Sequence, residues 1–222
     1  MKLDPSRPIL YLITRGETSE TTTAASQEFK DIVEQVSTAV VAGVDLVQLR
    51  EKRLSARVLF ELTRYAAALT RDTATRLLVN DRADIAAGAG ADGVHLTGQS
   101  IDASNIRRTF GDNFLIGVST HSLAEVRAAE QVGASFAVFG PVFDTPSKRH
   151  YGGPIGVAEL SHVTRKLGKF PVLALGGLAM DNFELCLNAG AAGIAGIGLF
   201  GKSHELKKIV ARIKNGGSGD ED

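Results

Sequence analysis

The sequence alternates eight short apolar segments with amphipathic stretches, and this alternation restricts the folds that are open to the chain. The apolar segments are nearly continuous in hydrophobic residues, which is typical of parallel strands that are buried on both faces. They comprise Ile9–Thr14, Leu46–Arg50, Arg76–Asn80, Gly93–Thr97, Phe114–Ser119, Phe136–Phe139, Val172–Leu175 and Gly193–Gly198. Eight strand–helix units in one chain predict a single-domain (β/α)8 TIM barrel. A doubly wound α/β sheet, which usually has fewer strands, is the alternative.

Composition excludes several classes of protein. The 222 residues include 25 basic and 25 acidic side chains, and a zero net charge argues against a nucleic-acid-binding protein. No apolar run is long enough to span a membrane, and the N-terminus lacks the apolar segment of a secretion signal. The single Cys186 cannot form an internal disulfide, so we expect a cytoplasmic protein.

The chain shows no linker and no second domain. We expect residues 1–8 to form an N-terminal extension, residues 9–214 the barrel, and residues 215–222 a flexible acidic, glycine-rich tail. The role of the polar segment Arg15–Ser26 after the first strand stays open, as does assembly into a homo-oligomer.

Glycines end the last two predicted strands, at Gly176-Gly177 and Gly196–Gly198. Barrel enzymes gather their functional groups at the C-terminal ends of strands, and they commonly bind phosphate after strands seven and eight. Glycine lets the backbone N–H groups approach phosphate oxygens. We therefore predict a phosphate site here, although close packing inside a barrel also favours glycine.

Basic side chains follow the second and sixth strands. Arg50 and Lys52 bracket the end of the second strand, and Lys148 and Arg149 lie in the long segment after the sixth. Arginine offers a bidentate fork and lysine a compact charge, so together they suit a leaving group such as pyrophosphate. Solvated surface charge is the alternative interpretation. The segment Asp144–Gly153 is a candidate lid over the reactants.

Further polar residues lie at or near strand ends. Asp81 is a candidate ligand for Mg²⁺ or a cap for the next helix. Gln48 and Asn80 each offer a donor and an acceptor, which suits the edge of an aminopyrimidine or a hydrogen bond within the core. We expect His95 to be a hydrogen-bonded core residue, whereas His121 is more open.

Several motifs occur together along the chain: QLREK (48–52), NDRADIA (80–86), GADGVHLTGQ (90–99), GVSTHSLAE (117–125), FGPVFDTPSK (139–148) and ALGG (174–177). In these segments, and in their order, the sequence resembles the thiamine phosphate synthase/TenI family. In the synthase branch, an aminopyrimidine methyl pyrophosphate loses pyrophosphate and the nitrogen of a thiazole phosphate captures the resulting cation. Such a dissociative step depends more on leaving-group stabilisation and positioning than on a strong base.

The resemblance also implies roles for individual residues. It assigns the pyrimidine pyrophosphate to Gln48, Arg50, Lys52, Asn80, Ser119 and Lys148. It assigns the thiazole phosphate to Thr145, Ser147, Gly177 and Ile197, beside the neighbouring Gly176 and Gly198. Asp81 would bind Mg²⁺.

Three positions depart from the family patterns. Ile101 stands where the synthase pattern has a second magnesium carboxylate, and Asp102 replaces that carboxylate if the loop shifts by one residue. Gly198 stands where a serine is usual, and a backbone N–H there is still able to hold phosphate. Pro141 stands where the TenI-type thiazole tautomerase pattern has histidine, and proline cannot transfer protons. Pro141 and the retained basic residues Arg50, Lys52 and Lys148 favour the synthase, whereas Ile101 favours loss of the metal. The tautomerase and a non-catalytic phosphate-binding barrel are the alternatives.

Overall fold

The chain forms a closed barrel of eight parallel strands in chain order, β1 to β8, with helices between them. The computed structural model describes residues 7–145, 153–201 and 204–215. The strands are β1 (Ile9–Ile13), β2 (Leu46–Leu49), β3 (Arg76–Asn80), β4 (Gly93–Leu96), β5 (Leu115–Thr120), β6 (Phe136–Phe139), β7 (Val172–Leu175) and β8 (Gly193–Gly196). The helices are α1 (Gln27–Ala42), α2 (Ala56–Thr70), α3 (Ala83–Ala89), α4 (Ala103–Phe110), α5 (Leu123–Gln131), α6 (Val157–Leu167), α7 (Phe183–Asn188) and α8 (Leu206–Lys214). The TIM-barrel prediction is confirmed, and the doubly wound alternative is wrong.

Alternate residues of each strand face the inside of the barrel, because successive side chains point to opposite faces of a strand. On β4, Val94 and Leu96 pack outward against helices, and His95 faces inward. The interior is filled by Ile9, Tyr11, Ile13, Leu46, Leu78, Leu115, Phe136, Val138, Leu173 and Ala195. The same alternation directs Gln48, Asn80 and Ser119 to the inside at the C-terminal ends of their strands.

The same type of turn precedes each of the four even-numbered strands. Helices α1, α3, α5 and α7 are each followed within two residues by a glycine with a positive φ: Gly43, Gly90, Gly133 and Gly190. The next N–H then bonds back to a carbonyl five residues earlier, from Val44 to Ala39, Ala91 to Ala86, Ala134 to Ala129 and Ala191 to Cys186. These bonds satisfy carbonyls at the helix ends, as in a Schellman motif. The barrel is thus built from four similar pairs of strand–helix units.

Carboxylates just before two of these strands tie the N-terminal end of the barrel together. Asp45 accepts the N–H of Leu10 at 2.9 Å, and Asp92 accepts the N–H of Leu77 at 2.8 Å. Lys214, the last residue of α8, reaches Asp45 at 2.9 Å. The last helix therefore closes onto the strand pair that begins the barrel.

Some predicted boundaries need correction. β8 ends at Gly196, and β2 ends at Leu49, so Gly198, Ile197 and Arg50 lie in the loops beyond these strands. The predicted lid segment and the tail fall largely outside the described residues, which stop at 145, resume at 153 and end at 215. Within the described ranges, no helix is both long enough and apolar enough to cross a membrane.

Candidate active site

A line of hydrogen-bonded polar side chains crosses the C-terminal ends of β2 and β3. Gln48 donates from Nε2 to Oδ1 of Asn80 at 3.0 Å, and Asn80 donates from Nδ2 to Oδ2 of Asp81 at 2.7 Å. The other oxygen of Asp81 accepts the hydroxyl of Ser100 from the loop after β4. The Oε1 atom of Gln48 is buried and has no hydrogen-bond partner among the described residues. The structure therefore brings Gln48, Asn80 and Asp81 together and leaves one acceptor unsatisfied.

The backbone of Asp81 is in the left-handed region, with a φ of 59°. This conformation is uncommon for residues other than glycine, although aspartate tolerates it better than most. Its N–H donates to the carbonyl of His95 at 2.9 Å, which ties the end of β3 to β4. The carboxylate is held by Asn80 at the end of β3 and by Ser100 in the loop after β4, so side chains from two neighbouring strand–loop units fix its position.

The described residues offer a single well-placed carboxylate for Mg²⁺. They contain no group of three His, Cys, Asp or Glu side chains that could hold a metal ion. Asp102 is exposed and accepts the N–H of Ser104 at 2.7 Å, which caps α4. The hydrogen bonds from Ser104 lower the pKa of the Asp102 carboxyl. Mg²⁺ often takes one or two carboxylates together with waters and substrate phosphates, so Asp81 fits such an ion in the presence of a pyrophosphate.

Of the four basic residues predicted to bind pyrophosphate, here called the basic clamp, Arg50 and Lys52 lie within the described residues. Arg50 is partly buried, and its backbone N–H donates to Oγ1 of Thr14 at 2.8 Å. Lys52 is exposed beside a cleft that Asn80 and Asp81 also line. Ser147, Lys148 and Arg149 fall in the gap between residues 145 and 153. The observed half of the clamp lies next to the polar line.

Glu51 is a buried carboxylate that was not among the predicted site residues. Its side chain accepts the hydroxyls of Thr14 and Thr18 at 2.6 and 2.7 Å, and the N–H groups of Gly16 and Thr18 at 3.2 and 3.4 Å. These bonds fold the segment after β1 over the side of the barrel mouth. In the sequence, Glu51 lies between two basic residues, a pattern that also fits a solvated charged loop.

His95 lies inside the barrel, where it contacts Ser119. Its Nε2 is 2.9 Å from Oγ of Ser119, and its Nδ1 is 3.2 Å from the hydroxyl of Tyr11. Burial, with a smaller contribution from the charge of Arg50, lowers the pKa of His95 to about 3. The expectation of a hydrogen-bonded core histidine is confirmed. The more open His121 uses Nδ1 to contact the carbonyl of Gly140.

The glycines after β7 are required by close packing. Gly176 and Gly177 have φ values of 101° and 63°. A Cβ atom would lie 2.6 Å from the Cα of Pro141 in the first case and 2.6 Å from the carbonyl oxygen of Asp144 in the second. Neither position tolerates a side chain, so these two glycines alone do not indicate phosphate.

The loop after β8 is more open than the one after β7. Gly198 is exposed, and a Cβ atom there would meet nothing within 4 Å. The backbone N–H groups of Gly177 and Gly198 have no acceptor within the described parts of the chain. Thr145, the last described residue before the gap, donates to the carbonyl of Phe143 at 3.3 Å. Free N–H groups therefore end both strands, as a phosphate site requires.

Arg15 brings a positive charge to the loop after β8. A Cβ atom on Gly201 would lie 2.9 Å from Nη2 of Arg15 and 3.0 Å from the carbonyl oxygen of Ile197. The guanidinium is about half exposed and lies 3.5 Å from Glu17. No motif marks Arg15 in the sequence, since the contact appears only when the barrel closes β1 against β8.

Comparison with known proteins agrees with the motifs. The sequence matches the family described as thiamine monophosphate synthase over residues 10–200. A relative from Geobacter sulfurreducens, which carries the thiamine-phosphate synthase name provisionally, is 48% identical over 166 residues, 75% of this chain and 78% of the relative. The thiamine-phosphate synthase of Chlorobium phaeobacteroides is 35% identical over 209 residues, 94% of this chain and 96% of the relative. The solved structure of thiamine phosphate pyrophosphorylase from Pyrococcus furiosus superposes with a TM-score of 0.76 at 30% identity, over 94% of this chain and 98% of that one.

Proposed function

The chain belongs to the thiamine monophosphate synthase family, and we propose that it joins an aminopyrimidine methyl pyrophosphate to a thiazole phosphate. The products are thiamine phosphate and pyrophosphate. Relatives that match most of the chain are named thiamine-phosphate synthases, so the protein is a transferase with small-molecule substrates.

The observation that carries this proposal is the buried Oε1 of Gln48, which has no hydrogen-bond partner in the described part of the chain. A buried acceptor without a donor costs about 1–3 kcal/mol, which a ligand with a well-placed N–H recovers. The amide of Gln48 cannot simply turn over, because its Nε2 is engaged with Asn80. An aminopyrimidine offers the missing N–H donor on the same edge as ring acceptors. The polar line therefore suits the pyrimidine half of the substrate.

The reaction itself breaks one C–O bond and forms one C–N bond. The electron pair of the C–O bond leaves with pyrophosphate, and the lone pair of the thiazole nitrogen fills the vacated carbon. Arg50 and Lys52 would stabilise the departing charge, with Lys148 from the undescribed segment as the third cation. The N–H groups of Gly177 and Gly198 would hold the thiazole phosphate.

Neither bond change needs a general base. The absence of this need agrees with the properties of His95. Its lowered pKa of about 3 makes the imidazole a weak base that stays neutral near pH 7. Asp81 would hold Mg²⁺, which supplies charge neutralisation to the pyrophosphate when bound. Asp102, which is exposed and caps α4, is the candidate second ligand.

An assay with both substrates, with and without Mg²⁺, tests the proposed activity. We expect thiamine phosphate and pyrophosphate in equal amounts, with a rate that depends on Mg²⁺. Tautomerisation of a thiazole carboxylate phosphate without condensation would instead identify the tautomerase. Binding of either phosphate without any turnover would identify a non-catalytic barrel.

Asparagine variants of Asp81 and Asp102, with one control variant, test the two candidate ligands of Mg²⁺. Asp81→Asn should raise the Mg²⁺ concentration needed for half-maximal rate by about tenfold or more, the scale on which changes to the groups that hold a metal weaken its binding. Asp84→Asn is the matched control, since this exposed carboxylate pairs with Arg82 at 2.6 Å. Asp102→Asn retains a side-chain oxygen that caps a helix well. An unchanged Mg²⁺ requirement in that variant would show that Asp102 caps α4 and does not bind the metal.

Lys148 is tested by truncation. Lys148→Ala should lower the rate of synthesis by roughly 10²-fold or more, on the order of losing one preorganised charge donor. Lys166→Ala is the control, because Lys166 lies in the last turn of α6, away from the C-terminal strand ends. Near-normal turnover of the Lys148 variant would remove this residue from the clamp.

A further inference from the structure

A chain of three side chains leads from the barrel interior to its mouth. Tyr11 on β1, His95 on β4 and Ser119 on β5 are joined by hydrogen bonds through the two ring nitrogens of His95. We propose that Tyr11 fixes the tautomer of His95, and that His95 in turn fixes Ser119 as a hydrogen-bond donor to the substrate. The part played by Ser119 rests on the function proposed above.

The hydroxyl of Tyr11 determines which nitrogen of His95 carries the hydrogen. Tyr11 is fully buried, and burial raises its pKa well above the ordinary value, so the hydroxyl keeps its proton. Nδ1 of His95 is the partner that the described residues offer to this hydroxyl. If Nδ1 carried a hydrogen, the proton of Tyr11 would have no acceptor among the residues that the structure describes. A buried, unsatisfied donor is costly, so Tyr11 donates to an unprotonated Nδ1.

The tautomer of His95 then follows. A neutral imidazole carries one hydrogen, and with Nδ1 acting as acceptor that hydrogen lies on Nε2. Nε2–H therefore donates to Oγ of Ser119 across 2.9 Å. Since His95 already holds a hydrogen on Nε2, it cannot take a proton from Ser119. The hydroxyl proton of Ser119 is left to point elsewhere, and Ser119 is half-buried near the C-terminal end of β5.

Packing keeps the ring in this orientation. Phe136 meets Tyr11 edge to face with ring centroids 5.5 Å apart, and it lies 6.3 Å from the ring of His95. Gly117 leaves room for both rings, because a Cβ atom there would lie 2.5 Å from Phe136 and 2.7 Å from Nδ1 of His95. A half-turn of the imidazole would direct carbon atoms at both hydroxyls and lose both bonds. The interior thus holds one ring orientation and one tautomer.

The chemical consequence is a division of roles at the mouth. Ser119 donates its proton to an oxygen of the substrate, where the departing pyrophosphate gathers negative charge, and it forms no covalent bond. Tyr11 and His95 do not touch the substrate and act as positioning residues. A serine–histidine pair in a hydrolase would need the opposite tautomer at this contact, with Nε2 as the acceptor.

Nitrogen-15 NMR of the whole protein reads the tautomer directly. The chain has 5 histidines, so the His95 signals are assigned by their loss in His95→Gln. We expect two-bond ¹H–¹⁵N correlations of the Nε2–H form in the native protein and a shift toward the Nδ1–H form in Tyr11→Phe. Tyr65→Phe, at a tyrosine that is 48% exposed, is the matched control and should leave these signals unchanged.

Kinetics test the effect on Ser119. Ser119→Ala should lower kcat by about 10²-fold, as for loss of one preorganised donor, and Tyr11→Phe by a smaller factor. His95→Gln places an amide N–H near the position of Nε2 and should retain more activity than His95→Leu. Thermal melts identify any variant that has not folded, and only folded variants enter the comparison.

These experiments test the hydrogen-bonded chain of Tyr11, His95 and Ser119 separately from the proposed synthase function. A native protein with hydrogen on Nδ1, or a Tyr11→Phe variant with unchanged His95 signals, would overturn the proposal that Tyr11 fixes the tautomer of His95, whatever the activity. Equal kcat values for folded His95→Gln and His95→Leu would overturn the link to Ser119. An Nε2–H signal in a protein without synthase activity would overturn the proposed function and leave the tautomer assignment intact.

Discussion

Replacing Glu51 by glutamine should destabilise the fold and loosen the segment after β1. The carboxylate accepts two hydroxyls at 2.6 and 2.7 Å and two N–H groups at 3.2 and 3.4 Å. In Glu51→Gln, one oxygen becomes an NH₂ group that can donate to the hydroxyl of Thr18, whereas the N–H of Thr18 loses its acceptor. Bonds to charged groups contribute about 1.5–3 kcal/mol and neutral ones about 0.5–1.5 kcal/mol. We therefore expect a loss of about 2 kcal/mol in the free energy of unfolding.

Urea unfolding and thermal melts measure this loss. For a chain of this size, a change of about 2 kcal/mol corresponds to a fall of roughly 4–8 °C in Tm. Glu51→Ala removes all four bonds and should cost more. Glu17→Gln is the control, because Glu17 is 71% exposed and its ion pair with Arg15 is a surface contact. A Glu51→Gln variant as stable as the native protein would refute the reasoning that this carboxylate anchors the segment.

Three further predictions concern the mouth and the core. Arg15→Ala should raise KM for thiazole phosphate about tenfold, as expected for the loss of one charge-assisted contact. The KM for the unphosphorylated thiazole alcohol should stay unchanged, and equal effects on both substrates would contradict a contact between Arg15 and the phosphate. Gly198→Ser should leave Tm unchanged, because a Cβ there has open space, and should lower KM for thiazole phosphate; a clear fall in Tm would contradict the open geometry. Burial raises the pKa of Cys186 to about 11, so iodoacetamide at pH 8 should label the chain only after unfolding in urea; rapid labelling of the native protein, followed by mass spectrometry, would contradict this expectation.

The fold and much of the polar line could be predicted because they depend on local pattern. Continuous apolar runs identify the strands, and the two-residue alternation along a strand then settles which side chains face inward. Gln48, Asn80 and Ser119 share that parity at the ends of their strands, so their meeting at the mouth follows from the barrel. Strand ends do not follow from the apolar pattern alone, since β8 ends at Gly196 while the apolar run continues to Gly198.

Other contacts depend on how the barrel closes, and no local pattern marks them. Tyr11 and His95 lie 84 residues apart in sequence and meet only across the interior. Arg15 reaches the loop after β8 because β8 pairs with β1. Asp102 illustrates a different limit: aspartate is preferred both at helix N-caps and around Mg²⁺, so residue type alone does not separate the two roles.

The two ends of the barrel differ in how completely their polar groups are satisfied. At the N-terminal end, Asp45 and Asp92 each accept the N–H of a neighbouring strand, and the four glycine turns bond back to their helices. At the C-terminal end, the buried Oε1 of Gln48 has no hydrogen-bond partner among the described residues. A buried polar group without a partner reduces stability, so it persists where a ligand completes it. Hydrogen bonds within the protein thus stabilise the N-terminal end of the barrel. At the C-terminal end, a substrate with an N–H donor and two phosphate groups would supply the missing hydrogen-bond partners.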